Sequence, residues 1–353
     1  MADITEQIAE VEKTLRELPH HKGTDHHIGR LRAKLALLND KMLSTPLRQG
    51  SGGAPGFAIR KQGDATIILV GPPSAGKSTL INKLTNAESK VAEYAFTTLT
   101  VIPGMMEYRQ ARIQILDVPG LIEGAQAGKG RGKEVLSVAR NSDLIVFMTD
   151  PTRLDFFKKL VKELENAGIR INKEKPKVKI NKKTNGGLAI QSNIKQDLSK
   201  ETIKEIAGEF GIKNGEITLN EKLTLDRLID AFAKNRVYIP GIYVINKIDD
   251  ENARKKTAKA DTRILRISAE TGEGIDEMKD KIWEKLKFVT IMLLDEPKIV
   301  KDNLTLQEVA EGIGTEFAEG KTAAKIWGSG AKFEGQEVSL TTKVQDGMKV
   351  KFV

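Results

Sequence analysis

The stretch that most constrains this chain runs from Thr66 to Thr79, TIILVGPPSAGKST. Ile67, Ile68, Leu69 and Val70 form an unbroken apolar run, the pattern of a fully buried strand. The run enters Gly71-x-x-x-x-Gly76-Lys77-Ser78 and then a helical apolar spacing at Leu80, Ile81 and Leu84. Strand, glycine loop and helix in that order read as a phosphate-binding loop, against a bare glycine turn with a chance lysine. Gly71 and Gly76 let the backbone curl so that N–H groups face a polyphosphate, and the helix adds its positive N-terminal end. The candidate site is therefore Gly71, Pro72, Pro73, Ser74, Ala75 and Gly76, followed by Lys77, Ser78 and Thr79. Lys77 supplies a point charge for the outer phosphates, and Ser78 offers a hydroxyl to Mg²⁺.

Two further motifs follow at strand ends. Val101–Tyr108, a turn at Arg109-Gln110, and Arg112–Leu116 read as a hairpin whose second strand ends in Asp117-Val118-Pro119-Gly120. Asp117 can hold Mg²⁺ through water, and the Gly120 N–H can reach a γ-phosphate. Farther on, Asn246-Lys247-Ile248-Asp249 closes the strand Ile242–Ile245. The Asp249 carboxylate can accept from both N1–H and the 2-amino group of guanine, a donor pair that adenine lacks. Asn246 braces the loop and Lys247 can lie over the ring. The next strand, Ile264–Ile267, ends in Ser268-Ala269-Glu270, where the Ala269 N–H can donate to guanine O6.

The spacing also implies an insertion. Between Gly120 and Asn246 lie 125 residues. Two strands and two helices with loops need only roughly 50–60, so roughly 70 are extra, about one small domain. The insert opens with RINKEKPKVKINKK, where Val178 and Ile180 alternate with Lys177 and Lys179. A strand with a cationic outer face, continued by Lys182 and Lys183, suits either RNA phosphates or solvent. Helical patterns at Lys200–Phe210 and Leu223–Ala233 make the insert α+β. The expected division is a helical hairpin over 1–48, a glycine-rich linker over 49–63, and a nucleotide domain over 64–167 and 237–287. The insert takes 168–236, and a small β-grasp-like unit takes 288–353.

In the N-terminal hairpin, Pro19 ends the first helix and Thr24-Asp25 start the second. His20, His21, His26 and His27 cluster at its turn, as metal ligands or as plain turn residues. Arg30, Arg32 and Lys34 fit nucleic acid or a solvated face. Residues 124–133, GAQAGKGRGK, read as a mobile switch loop or a passive surface loop. The net charge of +9 favours a polyanionic partner. The chain has no cysteine, no apolar run near the ~18 residues of a membrane span, and a polar, acidic start. A cytoplasmic, membrane-free protein is expected.

Taken together, these motifs resemble the developmentally regulated GTP-binding family of the larger Obg group of GTPases, most like its archaeal branch. DHHIGRLRAKLALL is similar to the family's helical hairpin. YAFTTLTVIPG, DVPGLIEGAQAGKGRG and NKID are similar to its switch I, switch II and base motifs, and FEGQEVSLTTKVQDGMKVKF to the end of a TGS domain. The resemblance implies an α/β fold: a P-loop GTPase domain with a mostly parallel sheet and helices on both faces. It adds the hairpin, the inserted α+β domain and a C-terminal TGS-like domain. It makes Thr98, or its neighbour Thr97, the switch I ligand, beside Phe96. Lys77, Thr98 and Gly120 would act on the γ-phosphate. Ser78, Thr98 and Asp117 would hold the metal.

The expected activity is Mg²⁺-dependent hydrolysis of GTP to GDP, working as a molecular switch. Leu121 stands where Ras-like enzymes carry the water-orienting Gln, so slow intrinsic turnover is expected. A factor binding RNA or the ribosome, with GTP as a structural ligand, is the rival class. A P-loop kinase or metabolic ATPase is disfavoured by NKID. Ser74 stands where potassium-activated relatives often carry Asn, which leaves K⁺ open. The resemblance further implies association with the ribosome or a translation factor and a small binding protein. No DNA is expected.

Overall fold

The computed structural model describes residues 4–19, 24–44, 62–85, 92–93, 100–117, 131–257 and 261–353. The chain divides into two compact units, one of residues 1–56 with 158–239, the other of residues 57–157 with 240–353.

The second unit is built on a seven-stranded sheet of order β12-β11-β5-β1-β4-β3-β2. Its parallel strands are β1 (Ala65–Val70), β4 (Ala111–Asp117), β5 (Leu144–Thr149), β11 (Gly241–Ile245) and β12 (Ile264–Arg266). β3 (Thr100–Tyr108) runs antiparallel to β4, and β2 (Ala92–Glu93) antiparallel to β3. Every residue of β1 and β5 is buried, as strands covered on both faces must be. On one face α3 (Lys77–Leu84) and α9 (Ile275–Leu286) set Leu80, Ile81, Met278 and Ile282 against Ile67, Leu69 and Val146. On the other, Phe147 stacks on Tyr243, and Phe157 of α5 (Phe156–Asn166) meets that ring edge-on. Close approach of α3 to β3 needs a glycine: a Cβ on Gly104 would lie 2.6 Å from Thr85 Cγ2.

The β3–β4 turn places Arg109 and Gln110 at φ +47° and +67°, the left-handed pair of a two-residue hairpin that Asn-Gly usually fills. Arg109 is held there by an ion pair of 2.6 Å to Asp280 and by the rings of Tyr108 and Trp283.

The C-terminal part of this unit is a mixed five-stranded sheet of order β14-β13-β17-β15-β16. The strands are β13 (Phe288–Leu293), β14 (Glu296–Lys301), β15 (Ala323–Gly328), β16 (Gln336–Ser339) and β17 (Met348–Phe352). Helix α10 (Leu306–Ile313) starts at a Thr305/Glu308 capping box and buries Leu306, Val309 and Ala310 against Ile291, Ile326 and Val350. This is the β-grasp arrangement read from the sequence. β14 was not foreseen, because its turn puts Leu294, not glycine, at φ +59°.

The first unit holds α1 (Ile4–Glu17), α2 (Asp25–Ser44), α6 (Lys200–Glu209) and α7 (Leu225–Phe232). It also holds a three-stranded sheet, β7 (Val178–Lys182), β9 (Gly215–Leu219) and β8 (Leu188–Ser192), in that order. β6 (Ile169–Ile171) and β10 (Val237–Ile239) form a separate parallel two-stranded sheet. The α1–α2 hairpin, read as a separate segment, shares this unit's core: Ala33 is fully buried among Ile203, Ile206, Leu228 and Phe232. Arg30 and Arg32 are drawn into ion pairs with Glu209 and Asp226 at 3.3 and 3.2 Å, so their charge is partly spent inside the unit. His26 Nδ1 lies 3.1 Å from Thr202 Oγ1, and no metal-ligating group of three occurs among the described residues. His20 and His21 lie outside them. No helix of the described residues is long and apolar enough to cross a membrane.

Candidate functional site

The phosphate loop leaves the carboxyl end of β1 beside that of β5. A Cβ on Gly71 would sit 2.2 Å from the Met148 carbonyl oxygen, so only glycine lets the loop turn over the neighbouring strand. At Gly76, φ is +92° and a Cβ would lie 2.3 Å from Asn246 Nδ2. Ser74 also has a left-handed φ, +61°. Lys77 Nζ reaches back over the loop and donates to the Gly71 and Pro72 carbonyls, both at 3.2 Å. Pro72 and Ala75 are buried, while Pro73, Ser74, Ser78 and Thr79 are exposed at the mouth.

Asn246 is the bolt between the motifs. Its Nδ2 donates to the Ala75 carbonyl at 2.9 Å, and its Oδ1 accepts from the Ala269 N–H at 2.8 Å. Its own N–H donates to Thr149 O at the end of β5, at 2.8 Å. One side chain, 3% exposed, thus fixes the phosphate loop, the base loop and the Ser268-Ala269-Glu270 turn together. Asp249 is exposed, and its Oδ1 accepts from Ser268 Oγ at 2.8 Å. Ser268 Oγ in turn accepts from the Thr271 N–H at 3.1 Å. The Asp249 carboxylate is thereby aimed, with acceptor capacity left on its second oxygen. Lys247, at φ +66°, and Glu270 are exposed beside it.

Asp117 ends β4 in register with Leu69 of β1, one residue before the loop region. Ser78 Oγ donates to its Oδ2 at 3.3 Å. Oδ1 is buried and has no hydrogen-bond partner among the described residues. Burial pushes the Asp117 carboxyl above its ordinary range, with the Lys77 charge and the Ser78 hydroxyl pulling the other way. A hydroxyl and an under-satisfied carboxylate are hard oxygen donors, and they fit Mg²⁺. Phe96, Thr97, Thr98 and Gly120, and with them Leu121 and the 124–130 part of the glycine-rich loop, lie outside the described residues.

One residue of the site carried no motif. Arg153, in the loop after β5, donates from Nη2 to the Pro73 carbonyl at 3.0 Å. The only hint in the sequence is a basic residue just past a strand that ends at the loop's edge.

A mostly parallel α/β sheet with a phosphate loop, a neighbouring carboxylate and an Asn-Lys-x-Asp loop along the carboxyl ends of its strands defines the class of P-loop GTP-binding proteins. Family models agree. Residues 66–183 match the 50S ribosome-binding GTPase model, residues 185–288 the C-terminal region of MMR_HSR1 domain, and residues 292–353 the TGS domain. An uncharacterized GTP-binding protein of Methanocaldococcus jannaschii is 44% identical, over 98% of this chain and 91% of its own. Developmentally-regulated G-protein 3 of Arabidopsis thaliana is 40% identical, over 100% of this chain and 99% of its own. Developmentally-regulated GTP-binding protein 2 of Homo sapiens is 37% identical over 96% of each chain. The chain belongs to the developmentally regulated GTP-binding protein family.

Proposed function

We propose that this chain hydrolyses GTP to GDP and phosphate with Mg²⁺ and works as a switch on the ribosome or a translation factor. The observation that carries the reading is the Asn246 bolt, which joins the phosphate loop to both base loops and so makes three motifs one site. The loop N–H groups and Lys77 would bind the phosphates, and Asp249 with the Ala269 N–H would select guanine. Ser78 and Asp117, with Thr97 or Thr98, would hold Mg²⁺, which when bound neutralises phosphate charge. The Gly120 N–H would meet the γ-phosphate, coupling the 117–132 segment to the nucleotide state. The exposed lysines of β7 would meet RNA phosphates.

Single-turnover hydrolysis with and without ribosomes tests the reading, with Na⁺ and K⁺ compared in parallel. Phosphate release that is faster with ribosomes supports it. Undetectable turnover in both, with tight GTP binding, would favour the second reading: a ribosome-binding factor with GTP as a structural ligand. That reading draws on Leu121, an apolar residue unable to orient water by hydrogen bonding.

A further inference from the structure

The carbonyls of the phosphate loop are held by three side chains. Lys77 takes those of Gly71 and Pro72, Asn246 that of Ala75, and Arg153 that of Pro73. The first two belong to recognised motifs, and Arg153 does not. Its mount is rigid. Nε donates to Asp150 Oδ2 at 2.8 Å, and Nη2 also contacts that oxygen. Asp150 is itself fixed by the Thr152 N–H at 2.9 Å and by the Thr152 hydroxyl. Thr149 Oγ1 donates to the Arg153 carbonyl at 3.1 Å, anchoring the backbone to the fully buried β5. Burial opposes the Asp150 charge, but the hydrogen bonds from Arg153 and Thr152 outweigh it and keep the carboxyl below its ordinary range.

We propose that Arg153 is a positioning residue for the nucleotide phosphates. It fixes the Pro73–Ser74 peptide so that the Ser74 N–H points into the concave side of the loop. The peptide is planar and trans, so its C=O and N–H point in opposite directions. Tying the Pro73 oxygen to Arg153 therefore fixes the Ser74 N–H on the opposite side of that peptide, away from Arg153. The left-handed φ of Ser74 continues the concavity into the kind of backbone nest that binds anions. The two prolines make this orientation matter. Pro72 and Pro73 have no N–H, so after Gly71 the next backbone donor of the loop is Ser74. A rotated Pro73–Ser74 peptide would remove that donor and point a carbonyl oxygen at the phosphates instead.

The inference rests on the loop being the polyphosphate site, and it needs binding, not turnover. The test uses the full chain with Arg153→Met, Arg153→Lys and Asp150→Asn. GDP and a non-hydrolysable GTP analogue are titrated, and GMP is run as a competitor against labelled GDP. Arg153→Met should weaken GDP and the analogue about ten-fold, the scale of one charge-assisted hydrogen bond, and leave GMP competition within about two-fold. Arg153→Lys should recover most of the loss, because an ammonium can still donate to Pro73 O. Asp150→Asn should fall between. Unchanged GDP affinity in folded Arg153→Met overturns the assignment. So does a parallel loss of GMP, which would mark general loosening of the site. If Arg153→Met does not fold, Asp150→Asn decides on the same readouts. A parent that binds GDP without hydrolysing GTP would end the hydrolysis reading and leave this test intact.

Discussion

At the scale of single residues, the site holds two carboxylates in opposite surroundings. Asp249 is exposed and aimed by Ser268. In the proposed role guanine offers it two donors, and Asn could accept only one of them, since its other end is NH₂. Each unpaired group costs about 1–3 kcal/mol, so Asp249→Asn should weaken GTP binding roughly 10²–10³-fold. Xanthosine triphosphate, with a carbonyl in place of the amino group, should bind the variant better than GTP. Parallel loss of both nucleotides would reduce Asp249 to a loop brace. Asp117 is the opposite case, a carboxyl raised above 3.8 chiefly by burial. The folded state then holds its proton where the unfolded chain has lost it. Its contribution to stability therefore falls as pH rises from 3.8 through the raised value. Asp117→Asn should melt higher than the parent at neutral pH without nucleotide, with the difference shrinking as pH falls through that window. The same variant should lose the Mg²⁺ dependence of GTP binding. A lower melting point at neutral pH would show that the Ser78 contact outweighs the burial.

At the scale of elements, β7 carries the expected cationic face. Val178 and Ile180 are half-buried, and Lys177, Lys179, Lys182 and Lys183 are exposed. Lys183, however, meets Glu216 of β9 at 2.5 Å, which partly neutralises it. Replacing Lys177, Lys179 and Lys182 by Ala should flatten the salt dependence of RNA or ribosome binding by up to about one unit of slope per lost contact, while Lys183→Ala alone should change it less. An unchanged slope in the triple variant would return β7 to a solvated face. What was legible in the sequence was what local pattern decides. β1 and β5 are apolar runs, α3 and α9 have helical spacing, and the three motifs sit where glycine or charge is chemically required. β8 and β9 escaped because their pairing is non-local: Leu188–Ser192 lines up with Gly215–Leu219, which in turn faces Val178–Lys182. β6 and β10 are three residues each and pair across the whole length of the insert. Arg153 escaped for a related reason, since a carbonyl partner leaves no trace in residue type.

At the scale of the whole chain, the N-terminal hairpin and a segment far along the sequence share one core, and neither is complete alone. Ala33 is fully buried among side chains of α6 and α7. A Cβ on Gly29 would lie 3.3 Å from both Ile206 Cδ1 and Leu225 Cδ1, so that face of α2 is fitted closely to the inserted helices. A buried ion network adds to the apolar contact. Asp230, 8% exposed in its side chain, takes Arg170 at 2.5 Å and Arg236 at 3.0 Å. Arg236, 5% exposed, reaches Asp40 of α2 at 2.9 Å. Breaking one partner of such a network typically costs about 3–5 kcal/mol, because the remaining charge stays buried and less well paired. Deleting residues 1–44 should therefore speed amide exchange in α6 and α7 by opening their apolar bed to water, and leave GDP affinity within about three-fold, since the phosphate and base loops belong to the other unit. Asp40→Ala, which keeps the hairpin, should give a smaller rise in exchange concentrated near Arg236. Unchanged exchange in both variants would mean that the inserted helices hold their fold without α2, and that the hairpin only rests on them.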